Sequence, residues 1–141
     1  MNEAKKIAKQ IVECFKRGNS VYIFGNGGSL QDAGHFSAEF NGIGPVIALN
    51  DPAKITSIGN DFGFENIFTV QVKDLSKPGD IIIGLSSSGK SRNVVKALKA
   101  PFLLNLETID FPRKGKTTQE VQNYQYRLLH SIYVIIKKEL S

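Results

Sequence analysis

Two glycine- and serine-rich segments of this 141-residue chain have the residue types and spacing to hold an anion: Gly25-Asn26-Gly27-Gly28-Ser29 and Gly84-Leu85-Ser86-Ser87-Ser88-Gly89-Lys90-Ser91. Each follows a short β-rich run, Ser20–Phe24 or Asp80–Leu85, and precedes a helical pattern. Where a strand turns into a helix, unpaired amides and the helix dipole favour negative charge, and glycine lets the backbone approach closely. The first segment departs from the dinucleotide fingerprint, because its sixth position is Leu30. Taken alone, it is also compatible with a simple tight turn. The second segment spells the Walker A pattern letter for letter. A nucleotide site would also need a hydrophobic strand ending in a magnesium-binding Asp. The nearest candidate, Asp110, follows Thr108-Ile109 rather than four apolar residues. Three consecutive serines place hydroxyls where a nucleotide loop relies on backbone amides, so a single phosphate monoester is the expected ligand. A P-loop nucleotide-binding protein is the weaker alternative.

The elements around these loops alternate. Residues 3–17 carry Ile7, Ile11, Val12 and Phe15 at helical spacing, with Gly18 as the closing cap. Ser20–Phe24 reads as a strand, and Ser29 has N-cap chemistry for a helix to about Phe40. Val46–Leu49 reads as a strand, Asp51 as the cap of a helix over 52–59, and Glu65–Val72 as a further helix. Asp80–Leu85 has the continuous apolar run of a covered parallel strand, followed by a helix over Lys90–Lys99. Pro101–Leu106 is a fourth strand candidate, Glu107–Lys116 a surface loop, and Thr117–Leu140 a long terminal helix. This order predicts a three-layer α/β fold, an open parallel sheet flanked by helices, in one domain spanning residues 1–141.

Composition narrows the classes. Hydrophobic residues at 41% and charged residues at 22% suit a globular chain, and no apolar run has the roughly 20 residues of a membrane span. The start MNEAKKIAKQ lacks the pattern of a signal peptide, and the lone Cys14 sits among apolar helix positions as a buried thiol. A cytoplasmic location is the default expectation. The formal charge of +5 reads as solvated faces or as a field that attracts an anionic substrate. No basic stripe interleaved with aromatics supports nucleic-acid binding, and no membrane partner is expected.

With these residues assembled, the sequence resembles the sugar isomerase (SIS) family, and within it the phosphoheptose isomerases. The matches are ordered: Gly25–Ser29, Asp32-Ala33, His35-Phe36 with Glu39, Gly59–Gly63 (GNDFG), Gly84–Ser91 with Asn93-Val94-Val95-Lys96-Ala97, and a terminal helix with Gln122 and His130. The family's usual residue at Lys90 is Asn, which makes the Walker A spelling an accident of one substitution. The resemblance implies that Ser29, Ser86, Ser88 and Ser91 hold the phosphate with Gly27 and Gly28, and that Ser87 is a neighbouring substrate contact. Asn26 and Asp61 would hold sugar hydroxyls. Glu39 matches the catalytic base and His130 the catalytic acid. In zinc-binding members His35, Glu39, Gln122 and His130 would ligate Zn2+. The implied reaction is aldose–ketose isomerisation, best matched by sedoheptulose 7-phosphate going to D-glycero-D-manno-heptose 7-phosphate through an enediol.

The residue types agree with that chemistry. Moving a proton between C1 and C2 needs a base at carbon and an acid at oxygen. His35 and Glu39 are i, i+4, and Gln122 and His130 are eight apart, so each pair shares a helix face. A helix-surface pair and a core histidine remain the bland readings of the same residues. Residues 98–117 stand where the family places a helix, a strand, a loop and another strand. A non-catalytic SIS module that senses a sugar phosphate or docks a protein is the alternative of a different class. The terminal helix carries Leu128, Leu129, Ile132, Val134, Ile135 and Ile136 almost all round. It predicts a subunit interface, in a homotetramer by resemblance and a dimer next.

Overall fold

The structure is a computed structural model that describes residues 2–99 and 105–141. Its spine is a four-stranded, all-parallel sheet in the order β2-β1-β3-β4, built from β1 (Val21–Gly25), β2 (Val46–Ala48), β3 (Ile81–Leu85) and β4 (Glu107–Asp110). Alternation along the strands sorts side chains onto two faces. Val21, Ile23, Ile81, Ile83 and Ile109 join one core with α1 (Asn2–Lys16), α2 (Gly28–Glu39) and α6 (Thr118–Leu140). Phe24 and Ile82 join a second core with α3 (Pro52–Phe62), α4 (Ile67–Leu75) and α5 (Arg92–Lys99). The architecture is the expected three layers, and β3 is its anchor. Ile81, Ile82 and Ile83 are all 0% exposed, and each fully buried Ile stabilises by about 1.5–3 kcal/mol.

The terminal segments lie together. α1 places Ala4, Ile7, Ala8, Ile11, Val12 and Cys14 on its inner face, and Gly18 ends the turn at φ +80°, a conformation that glycine adopts without strain. α6 begins at a side-chain N-cap: the Glu120 amide donates to Thr117 Oγ1 at 3.1 Å, and that hydroxyl donates to Glu120 Oε2 at 3.2 Å. Leu128, Leu129, Ile132 and Ile136 of α6 are buried in the core that α1 shares. Much of the cover that the apolar helix demands is therefore supplied by this chain's own first helix. Tyr126, Val134 and Leu140 remain exposed. No helix among the described residues is long and apolar enough to cross a membrane.

Asp80 fixes the entry to β3. It is buried, and its carboxylate accepts hydrogen bonds from Asn19 Nδ2 at 2.8 Å, the Ser20 amide at 2.9 Å and the Lys77 amide at 2.7 Å. These bonds tie the starts of β1 and β3 together, so the opposite ends of those strands arrive in register.

Two element expectations need correcting, and a third lies mostly outside the described residues. The candidate strand Pro101–Leu106 falls mostly on residues 101–104, which lie outside the described residues. The fourth strand is instead Glu107–Asp110, within the stretch read as a loop. As an edge strand, it buries only Ile109 fully, so its sequence lacks an apolar run. α3 continues to Phe62, a 3-10 turn spans Phe64–Asn66, and α4 runs from Ile67 to Leu75. Asp61 consequently lies in the last turn of a helix rather than in a loop.

Candidate active site

The strand order sets the location. β1 connects outward to β2, while β3 connects the opposite way to β4, so the loops after β1 and β3 diverge between those two strands. In an open parallel sheet this is the crevice where ligands bind. Both glycine- and serine-rich loops of the sequence sit there, beyond the paired ends Gly25 and Leu85.

The first loop enters α2 through Gly27, whose φ of +54° favours glycine. The helix starts at Gly28, so Ser29 is not the cap but a buried residue of the first turn. In the second loop the serines converge. Ser86 Oγ lies 3.1 Å from Ser91 Oγ and 3.5 Å from Ser88 Oγ. The Gly89 amide donates to Ser86 Oγ at 2.9 Å, and the Lys90 amide to Ser88 Oγ at 3.0 Å. Hydroxyls and amides that satisfy one another in this way can reorient toward a phosphate oxygen. Ser87 is half-buried beside them.

The Walker A alternative meets a different neighbour. β4 does end in Asp110, next to β3 as in a nucleotide fold. Its carboxylate, however, is held by Arg113, with Nη1 to Oδ1 at 2.7 Å and Nη2 to Oδ2 at 2.9 Å. A bidentate guanidinium occupies the place a magnesium ion would need. Lys90 itself is exposed.

The acid–base residues form a second cluster. Glu39 Oε1 lies 3.7 Å from His35 Nε2, and its Oε2 lies 3.7 Å from His130 Nδ1. The carboxylate is mostly buried, at 18% exposed, between two imidazoles that are more than half exposed. α2 and α6 run side by side to make this pairing. Gln122 fills the space beside Gly28, the His35 ring lies 6.0 Å from that of Tyr126, and Tyr133 stacks edge-on with Phe40 at 5.6 Å. Burial raises the Asp32 carboxyl above the usual carboxylate range, and His35 opposes that shift.

Two placements differ from the sequence picture. Gln122 packs at the start of α2, whereas His130 meets Glu39 near its end, and eight residues of helix separate the two by about 12 Å. The four-donor zinc set therefore does not close within one chain. Among the described residues, no group of three or more His, Cys, Asp or Glu side chains is arranged to hold a metal ion. The residues of a single chain do not fit the zinc site that the resemblance implies. Likewise, ten residues of α2 put Glu39 about 15 Å along the axis from Ser29, because a helix that follows a parallel strand runs back toward the far edge of the sheet. Asp61 is exposed, and its carboxylate accepts from the Asn60 side chain at 3.1 Å.

Two buried amides carry signals that sequence reading passed over. Asn93, noted only as part of a motif, exchanges two hydrogen bonds of 2.9 Å with Asn26. Gln125 of α6 is buried, and its two Nε2 N–H groups are shared among the carbonyls of Pro112 at 3.2 Å, Phe111 at 3.3 Å and Ser86 at 3.5 Å. It links the terminal helix to the serine loop. A Gln on the apolar stripe of a helix is the one clue the sequence offers for it.

Comparison with known proteins agrees with this fold. The SIS domain family model matches residues 1–109, and the chain belongs to that family. Its relatives are phosphoheptose isomerases. That of Fusobacterium nucleatum is 37% identical over 92% of this chain and 79% of its own length. That of Aliarcobacter butzleri is 38% identical over 97% and 85%. That of Thermodesulfovibrio yellowstonii is 44% identical over 78% of this chain, and the match spans 59% of the relative's length. Among solved structures, the phosphoheptose isomerase of Neisseria gonorrhoeae superposes with a TM-score of 0.92 at 29% identity, covering 98% of this chain and 86% of that one.

Proposed function

We propose that the chain is an aldose–ketose isomerase of phosphorylated sugars, converting sedoheptulose 7-phosphate to D-glycero-D-manno-heptose 7-phosphate. The observation that carries this reading is Glu39, a largely buried carboxylate held between two imidazoles at 3.7 Å, in a chain that also builds a serine phosphate cradle. Glu39 takes the proton from C1 of the ketose while His130 gives a proton to the C2 oxygen, forming the enediol. Glu39 then returns the proton to C2, and His130 accepts the one on the C1 oxygen as the aldehyde forms. A sugar-phosphate sensor would need the cradle but not this triad. The test is incubation of the protein with sedoheptulose 7-phosphate and detection of the aldose. Absence of aldose product, with phosphate binding intact, would favour the sensing module.

The separation of about 15 Å between Ser29 and Glu39 along α2 supports a site shared between copies of the chain. Phe62 at 61% and Phe64 at 65% exposed, together with Val134 and Tyr126, are the apolar surface available for assembly. The assembly is a homotetramer, with a dimer as the smaller alternative. Light scattering is expected to give the mass of four chains. Mixing two inactive variants, Glu39→Gln and Ser86→Ala, should restore activity as subunits exchange. A fully active monomer would overturn the shared site.

A further inference from the structure

We propose that Asn93 is a positioning residue that clamps the two halves of the phosphate cradle into one site by locking the side chain of Asn26. The inference rests on the isomerase reading above for its kinetic consequences, but not for the clamp itself.

The two loops leave adjacent strands and then part. α2 packs on one face of the sheet and α5 on the other. The last ladder pair between them is Gly25 with Leu85, so residues beyond it need another tie to keep a common geometry. Asn26 and Asn93, 67 residues apart, provide it. Asn26 Nδ2 donates to Asn93 Oδ1 at 2.9 Å, and Asn93 Nδ2 donates to Asn26 Oδ1 at 2.9 Å. Two facing carboxamides can make this reciprocal pair because each offers a donor and an acceptor at once.

Burial makes the pair directional. Asn93 is 2% exposed, so its amide cannot exchange Asn26 for bulk water, and losing the partner would leave buried polar groups unsatisfied. Asn26 is half-buried at the loop mouth. A carboxamide has two N–H donors and two acceptor lone pairs. Pairing uses one of each and leaves Asn26 one N–H and one lone pair for sugar hydroxyls. Both bonds survive only when the two amides turn together, so Asn26 cannot exchange its oxygen and nitrogen on its own. Asn93 therefore shapes what the sugar meets without touching it.

The experiment uses the full chain and three variants: Asn93→Leu, which keeps the volume and removes the hydrogen bonds, Asn26→Ala, and the double variant. Sugar-phosphate turnover gives KM and kcat, and titration with inorganic phosphate gives cradle affinity. The expected result is that Asn93→Leu raises KM about tenfold or more and weakens phosphate binding, with a smaller change in kcat. The double variant should be no worse than Asn26→Ala alone, because both remove the same interaction. Unchanged KM and phosphate affinity in a folded Asn93→Leu variant, or losses that add in the double variant, overturn the clamp. If Asn93→Leu does not fold, the wild-type protein still decides. The side-chain amide protons of Asn26 and Asn93 should exchange slowly with solvent and shift together when phosphate is added. Fast exchange at Asn93 overturns the proposal. A wild-type chain with no isomerase activity would sink the functional reading, while phosphate affinity and amide exchange would still test the clamp.

Discussion

Glu39→Gln is expected to lower kcat about 1,000-fold, within the roughly 10²–10⁴ range for losing a positioned general base, while leaving the melting temperature within about 2 °C. The substitution is nearly isosteric and removes only the charge and basicity of a carboxylate. That carboxylate sits 3.7 Å from each imidazole, too far for a firm hydrogen bond, so its replacement orphans no buried partner. A 1,000-fold loss corresponds to about 4 kcal/mol of transition-state stabilisation. KM should change little, because the proposed proton transfers take place at C1 and C2, the end of the sugar opposite the 7-phosphate. His130→Asn should lower kcat as well. The double variant should be scarcely worse than Glu39→Gln, since base and acid serve the same proton transfers. Steady-state kinetics with sedoheptulose 7-phosphate, alongside thermal melts, check all three. Glu39→Gln activity within tenfold of wild type would remove Glu39 from the role of base.

Much of this was legible in the sequence, and the misses have physical causes. The apolar runs before Gly25 and Gly84 announce buried strands, and the glycine-serine loops after them mark the two strand ends that the sheet brings side by side. The i, i+4 spacing of His35 and Glu39 places them on one face whatever the helix packs against. Edge strand β4 escaped because Glu107, Thr108 and Asp110 face partly outward, leaving Ile109 as its one fully buried residue. Helix spacing also could not say that Gln122 and His130 would address different ends of α2. That depends on α6 lying alongside α2, a tertiary fact. The reciprocal Asn26–Asn93 pair was illegible for a similar reason. Each Asn looks like an ordinary polar residue of a turn or helix start, and only the closing of β1 on β3 brings them together.

The same closing makes Gly25 the most sensitive position of the cradle, and Gly25→Ala is expected to destabilise the chain by about 3 kcal/mol, at the upper end for overpacking. A Cβ there would lie 2.7 Å from the Leu85 carbonyl oxygen, 2.8 Å from Ser29 Cβ and 3.1 Å from Leu85 Cβ. None of these neighbours is the free end of a flexible side chain. Leu85 is 1% exposed and held in the ladder by pairing with Gly25 itself, and Ser29 is fixed in the first turn of α2. Relief must come from spreading β1 from β3 or pushing α2 away, and either motion opens the crevice that orders the serines. The melting temperature should fall by roughly 10 °C, and affinity for inorganic phosphate should fall with it. Gly27→Ala separates the causes. Its Cβ would meet nothing within 4 Å, yet its φ of +54° and ψ of −121° are unfavourable for alanine, so its cost, on the order of 1–3 kcal/mol, is backbone strain without crowding. A Gly25→Ala chain that melts within about 2 °C of wild type would mean that the two strand ends are not packed as closely as this site requires.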